Sequence, residues 1–251
     1  MSFNEGEIQK ILQKFESISL NELNQLKLMK RQDTKHVFSI NKLEALLDKV
    51  SDEYKVLEIE NKRVLLYNTD YFDTPNFTTY IEHHNKRLNR YKIRLRRYAI
   101  NNEYFLEIKM KNNKGQTVKK RIASDAIDSI NNESFEFIKQ HINISENNLK
   151  PSSSNSFNRI TLASFKTKER ITIDYNLNLH VNHKSKQLNH IAIAELKSER
   201  EKAGSSFANA LKELKIYSRG FSKYCIGMAL LQPNIKKNSF KEDLMFINKL
   251  Q

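Results

Sequence analysis

Arg90-Tyr-Lys-Ile-Arg-Leu-Arg-Arg-Tyr98 is the stretch from which the fold can be read. Its side chains alternate with period two, the mark of a β-strand: Arg90, Lys92, Arg94 and Arg96 share one face, and Tyr91, Ile93, Leu95 and Arg97 the other. One face is wholly basic.

Neighbouring segments repeat the pattern. Phe105, Glu107, Lys109 and Lys111 alternate against Tyr104, Leu106, Ile108 and Met110, and Lys119 and Arg121 oppose Val118, Lys120 and Ile122. Farther on, Arg159 and Thr161 oppose Ile160 and Leu162, and Arg170, Thr172 and Asp174 oppose Ile171, Ile173 and Tyr175. An open sheet would leave such a charged face in water. A solvated face mixes its charges, however, whereas here lysine and arginine stack at i, i+2 on neighbouring strands, where like charges repel. That arrangement persists when an anion normally sits between the cations. A closed antiparallel barrel with a basic lumen and helices against its apolar outside meets both demands and removes the sheet edges.

Composition agrees. The 251 residues hold 43 Lys+Arg against 29 Asp+Glu, a formal net charge of +14, so a polyanion is the natural partner. With 5 glycines and no glycine-rich nucleotide loop, any phosphate site must be built from side chains. Cys225 is the single cysteine, so no intrachain disulfide forms. No secretory signal or membrane-length apolar run is present, which points to a cytoplasmic location.

Helices are expected over residues 1–28, from Leu43 to Val50, from Asp125 to His141, from Ser205 to Leu214 and from Tyr224 to Leu231. The Ser/Asn-rich stretch Ser145–Asn158, with Pro151, reads as a surface loop. The expected organisation is an N-terminal helical extension (1–28), a tunnel domain (29–232) and a basic C-terminal tail (233–251).

Acids are few on the basic faces and sit beside bases. Asp33 precedes Lys35 by two, Glu107 precedes Lys109 by two, Asp174 follows Arg170 by four, and Glu195 precedes Lys197 by two. Such a lumen suits a metal–polyphosphate complex, with cations for phosphate oxygens and carboxylates for a divalent ion. It equally suits plain salt bridging, and an empty site can rest as ion pairs.

These residues resemble a known family, the polyphosphate-polymerase domain of the vacuolar transporter chaperone complex, within the CYTH-like triphosphate tunnel metalloenzymes. The matching pieces are Asp33-Thr-Lys35-His36, Tyr71-Phe-Asp73-Thr, Asn89 to Tyr98, Phe105-Leu-Glu-Ile-Lys109 and Val118-Lys119-Lys-Arg121. Asn158-Arg159, Arg170-Ile-Thr-Ile-Asp174, Ala194-Glu195-Leu-Lys197 and Phe221-Ser-Lys223-Tyr224 follow in the family's order, over about residues 29–231. The resemblance implies an α+β fold, a closed eight-stranded antiparallel β-barrel (a triphosphate tunnel) flanked by helices. It also implies an ATP-dependent polymerase that moves the γ-phosphate of ATP onto inorganic polyphosphate. By motif, Lys35, Arg94, Arg96, Lys109, Lys119, Arg159, Arg170 and Lys223 are the implied phosphate-binding and catalytic set. Glu195 is the implied ligand of a divalent metal, Mn2+ or Mg2+. Thr172 offers one more hydrogen bond, and His83, His84 and Lys86 lie either at a tunnel mouth or on the surface.

Two departures qualify the resemblance. Many tunnel enzymes open with Glu-x-Glu-x-Lys, where this chain reads Arg31-Gln-Asp33-Thr-Lys35; a cation in place of one acid favours holding an anion over metal-rich hydrolysis. The eukaryotic subunit also carries an SPX domain and membrane helices that are not found here, so translocation would need a separate membrane-protein partner, with this chain at the inner face of the membrane. The rival readings are a catalytically inactive polyphosphate- or triphosphate-binding regulatory subunit, an inorganic triphosphatase and, on charge alone, a nucleic-acid binder. The tunnel reading expects no nucleic acid.

Overall fold

The computed structural model describes residues 4–26, 31–124, 130–144, 149–199 and 204–251. Eight strands form one antiparallel path, in the order β2 (Arg31–Ser39), β11 (Ile191–Glu199), β9 (Glu169–Val181), β8 (Lys150–Ser164), β4 (Leu65–Asp73), β5 (Arg90–Tyr98), β6 (Glu103–Lys111) and β7 (Thr117–Ala123). The parallel pair β1 (Ser17–Ile18) and β3 (Lys55–Leu57) attaches beside β8, and β10 (Lys184–Leu188) forms a hairpin with β9.

Residues paired across strands share a face, so register places the charges. Lys92 lies opposite Lys109, and Lys109 opposite Lys119. Arg94 lies between Tyr71 and Glu107, and Glu195 between Lys35 and Thr172. The apolar members of the same strands bury on the other side. Ile160, Leu162, Ile171, Ile173 and Ala194 pack with residues of α1 (Glu5–Leu12), α3 (Leu43–Asp48) and α6 (Ser206–Glu213), while Ile93, Leu95, Leu106 and Ile108 pack with Ile138 of α5 (Asn132–Lys139). Each of these isoleucines and leucines contributes about 1.5–3 kcal/mol, so the alternation itself holds the sheet's orientation.

The concave side receives α7 (Lys223–Leu231), whose Tyr224, Ile226 and Met228 are buried with Leu177, Leu179 and Val181 of β9. A bulge makes this possible. From Ser156 to Asn158, β8 advances two residues while β9 spans three, Asn178 to Tyr175, and Asn176 takes a left-handed φ of 51°. The slip changes which parity points inward: Arg170, Thr172 and Asp174 do so before it, Leu177 and Leu179 after it. Short α4 (Thr78–His84) and C-terminal α8 (Lys241–Lys249) complete this side. Asp73, fully buried, accepts from the backbone N–H groups of Thr74, Thr79 and Tyr80 and from the hydroxyls of Thr79 and Tyr224, tying β4, α4 and α7 together.

The structure differs from expectation in four places. The eight-stranded antiparallel path is present, but no pairing joins its ends, β2 and β7, among the described residues, so the sheet is a curled half-barrel rather than a hydrogen-bonded closed barrel. β7 is almost wholly exposed and lysine-rich, the character of a protected edge strand rather than a sealed one. The helix expected over 1–28 is instead α1, β1 and α2 (Leu20–Gln25), with residues 1–3, 27 and 28 outside the described residues; β1 is drawn into pairing by β3, and a Ser19–Glu22 capping box restarts the helix. The loop expected over Ser145–Asn158 is strand β8 from Lys150 onward, because β4 and β9 on its two sides satisfy its backbone. Its first part, 145–148, lies outside the described residues. The helix expected over Asp125–His141 is only α5: residues 125–129 lie outside the described residues, and Asn131 is extended and caps α5 by accepting from the Ser134 N–H. No helix among the described residues is long and apolar enough to cross a membrane.

Candidate functional site

The nine residues singled out from sequence all fall on the inner face of the sheet or at the helix end that meets it. Lys35 stands on β2, Arg94 and Arg96 on β5, Lys109 on β6, Lys119 on β7, Arg159 on β8, Arg170 on β9, Glu195 on β11 and Lys223 at the start of α7. Curling brings the two ends of the path near each other: Lys35 of β2, Lys109 of β6 and Thr117 of β7 line one cavity.

Three carboxylate knots organise the cations. Glu107, 1% exposed, accepts Nε and Nη2 of Arg94 at 2.7 and 2.6 Å and is joined by Lys119, with Arg96 Nη1 at 4.0 Å. Burial works against its ionisation, but Arg94, Arg96 and Lys119 outweigh it and hold the carboxyl at about 2. Asp174 takes Arg159 in a bidentate pair, at 2.6 and 2.8 Å, and also meets Lys223. These cations likewise overcome burial and keep Asp174 well below the usual carboxylate range. In the third knot Lys197 lies between two acids, contacting Glu195 Oε1 and donating to Asp33 Oδ2 at 3.1 Å. Against the cost of burial, Lys35, Lys197 and Lys109 hold Glu195 at about 2.

Aromatic rings form a floor beneath the second knot. Tyr67 and Phe157 stack at 5.5 Å; the Arg159 guanidinium lies 4.7 Å from the Tyr67 centroid and Lys223 Nζ 4.2 Å from that of Phe157. Tyr71 stacks on Tyr224 at 5.0 Å. These rings hold the cationic heads without neutralising them.

A cavity of about 340 Å³ opens at one mouth, lined by Lys35, His83, Arg90, Lys92, Lys109 and Lys111, with Phe240 and Asp243 of the C-terminal segment at its rim. Burial first, then Lys35, Lys92 and Arg94 against the pull of Glu195, push the Lys109 ammonium down to about 7. Burial, then Lys92, Arg90, Lys111 and Lys109, bring His83 to about 2, so its ring is neutral at physiological pH. Lys92 donates to Ser222 Oγ at 2.8 Å, and Ser222 caps α7, so the positive end of that helix also points at the lumen. His84 is buried instead, bonded to Asn85, Asn238 and Ser239, and Lys86 is exposed. Thr172 is buried in the row of Thr161 and Glu195.

Deeper along the lumen, Arg96 Nε, Thr69 Oγ1 and Asn155 Oδ1 are buried without a hydrogen-bond partner among the described residues, and the three residues stand side by side on β5, β4 and β8. Native interiors rarely leave such groups unmet; Arg96 Nε and the Thr69 hydroxyl can donate to the oxygens of a guest, whereas Asn155 Oδ1 can only accept. Sequence reading placed Lys92 on the basic face but missed Tyr67, Thr69, Tyr71, Asn155 and Phe157 as lining residues. Period two was the available signal: Tyr67, Thr69 and Tyr71 alternate on β4, and Asn155 and Phe157 precede Arg159 by four and two.

A family model described as the VTC domain matches residues 30–232. Among solved structures, a candidate adenylate cyclase from Bacillus halodurans superposes with a TM-score of 0.50 at 14% identity, over 77% of this chain and 96% of its own. A candidate adenylyl cyclase from Hippeastrum, described as having a dominant triphosphatase activity, gives 0.49 at 14% identity, over 80% of this chain and 96% of its own. At such identity the first likeness speaks for the fold alone. No curated protein sequence matches the chain.

Proposed function

The chain belongs to the VTC-domain family, and on that premise we propose that it is an ATP-dependent polyphosphate polymerase, binding ATP and the growing polyphosphate chain in the basic tunnel. The observation that carries this reading is the Lys92–Lys109–Lys119 row, three lysines directly opposite one another on adjacent strands. Like charges at such spacing raise the energy of the empty protein, and a chain of phosphates relieves it.

Lys35, Arg94, Arg96, Lys109, Lys119, Arg159, Arg170 and Lys223 are the proposed phosphate ligands. Arg94 and Arg159 are pre-oriented by Glu107 and Asp174 and can present a fixed guanidinium fork, while the lysines supply mobile point charges. No protein nucleophile is required. A terminal oxygen of the acceptor chain attacks the γ-phosphorus in line, the bond to the β,γ-bridging oxygen breaks, and ADP leaves; the tunnel contributes alignment and charge stabilisation.

A divalent ion fits the donors present. Glu195 and Asp33 are hard oxygen ligands on adjacent strands, and Mg2+ or Mn2+ characteristically takes one or two carboxylates together with substrate phosphates and water. When bound, it supplies Lewis-acid polarisation of the phosphoryl group. Purified protein given ATP and Mn2+ should make phosphate chains and ADP. Free phosphate alone would assign a triphosphatase, and turnover absent from both the wild type and Glu195→Gln, with polyphosphate still bound, a non-catalytic subunit.

A further inference from the structure

We propose that Lys197 is a built-in cation that holds the metal position between Asp33 and Glu195 in the substrate-free tunnel, so that a divalent ion enters only with the phosphate chain that draws Lys197 away. The proposal rests on the tunnel reading above. Asp33 and Lys197 are directly opposed across β2 and β11, and the Lys197 ammonium touches both carboxylates at once. Two acids brought together by one compact cation are the donor arrangement a divalent ion would use. Lys35, although opposite Glu195, donates instead to the Phe221 carbonyl at 3.4 Å, so the bridging place belongs to Lys197.

The exit route for Lys197 lies across the next strand. Arg170 of β9 faces Lys197 directly, so a phosphate held by Arg170 has Lys197 as its neighbour. Such a phosphate gives the ammonium a new anionic partner just as the carboxylates need a replacement cation. Anion and metal binding are thereby coupled through one side chain, and the empty site is kept from capturing metal alone.

The test is Mn2+ binding to the full chain without phosphate, followed by electron paramagnetic resonance. Lys197→Met should bind Mn2+ at least tenfold more tightly than wild type, and the added change Glu195→Gln should abolish the gain. Lys49→Met removes a lysine that pairs with Glu213 of α6, outside the lumen, and should leave Mn2+ affinity within about twofold. Lys197→Gln serves as a second, less apolar variant. Equal Mn2+ affinity in wild type and both Lys197 variants, or an equal gain in Lys49→Met, overturns the proposal. Tripolyphosphate binding measured in parallel in EDTA separates the two readings: if it is retained, the tunnel reading stands although the Lys197 proposal fails, and if wild type binds none, both fall.

Discussion

Arg94 and Glu107 face each other across β5 and β6, and the arginine directs two of its nitrogens to a single carboxylate oxygen that is sealed from solvent. Arg96, one row deeper, has no such partner among the described residues: Glu107 Oε2 is 4.0 Å from its Nη1, and its Nε is unmet. Two arginines of one strand, alike in sequence, therefore differ in what they do for the empty protein.

Substituting each should separate stability from binding. Arg94→Ala strips the main partner from a buried carboxylate and should cost about 3 kcal/mol or more in urea unfolding. Arg96→Ala relieves repulsion and should change stability by about 1 kcal/mol or less, yet weaken tripolyphosphate binding in calorimetry at least tenfold. Equal destabilisation by the two would contradict the assignment.

Lys109 makes a prediction about pH. Its folded value, about 7, lies below the 10.5 of the unfolded chain, so between these values the unfolded state binds more protons. Its charging penalty is fully present below pH 7 and fades as pH rises, so its contribution makes the substrate-free protein more stable from about pH 7 towards 10.5. Lys109→Met should flatten that slope in thermal melts across pH 7–9. Tripolyphosphate binding near pH 8 should take up a proton in the wild type and less in the variant, as calorimetry in buffers of different ionisation enthalpy would reveal.

Asp73 is a structural acid in a lumen of functional ones. It accepts from three backbone N–H groups and two hydroxyls and touches no lysine or arginine among the contacts above, so Asp73→Ala should cost about 3 kcal/mol or more. Tyr224→Phe removes one of those donors and should cost about 1–2 kcal/mol. Chemical denaturation measures both, and a neutral Asp73→Ala would mean that α4 and α7 are held by packing alone.

Asn176 sits in the left-handed region at the β9 bulge, where a Cβ is disfavoured and asparagine or glycine is tolerated. Asn176→Val should destabilise by about 1–2 kcal/mol, whereas Asn176→Gly should be close to neutral. A Gly variant as damaged as the Val variant would place the cost in the lost side chain instead.

Much of the fold was legible because it is written locally. The inward set Arg90, Lys92, Arg94, Arg96 and its counterparts on β6, β7, β8 and β9 follow from alternation alone, and so does the presence of Asp33, Glu107, Asp174 and Glu195 among them. Strand β8 was not legible at its start: Ser152, Ser153 and Ser154 have no strand preference of their own, and their conformation comes from β4, paired across Ser153 and Ser154, and β9, paired across Ser154. Nor was the end of alternation at Asn176, since a bulge forms only against a partner strand.

The sequence by itself determined that this chain presents a basic face on strand after strand, since the direction of a side chain on an extended backbone depends only on its parity. Which cations are neutralised was decided by the tertiary structure: Lys223 reaches Asp174 from 49 residues away and Lys197 reaches Asp33 from 164, whereas Lys109 meets a lysine on each side, Lys92 and Lys119. Parity is a property of neighbouring peptide units, but a charge's partner is set by the register and curvature of the whole sheet, which no local stretch contains.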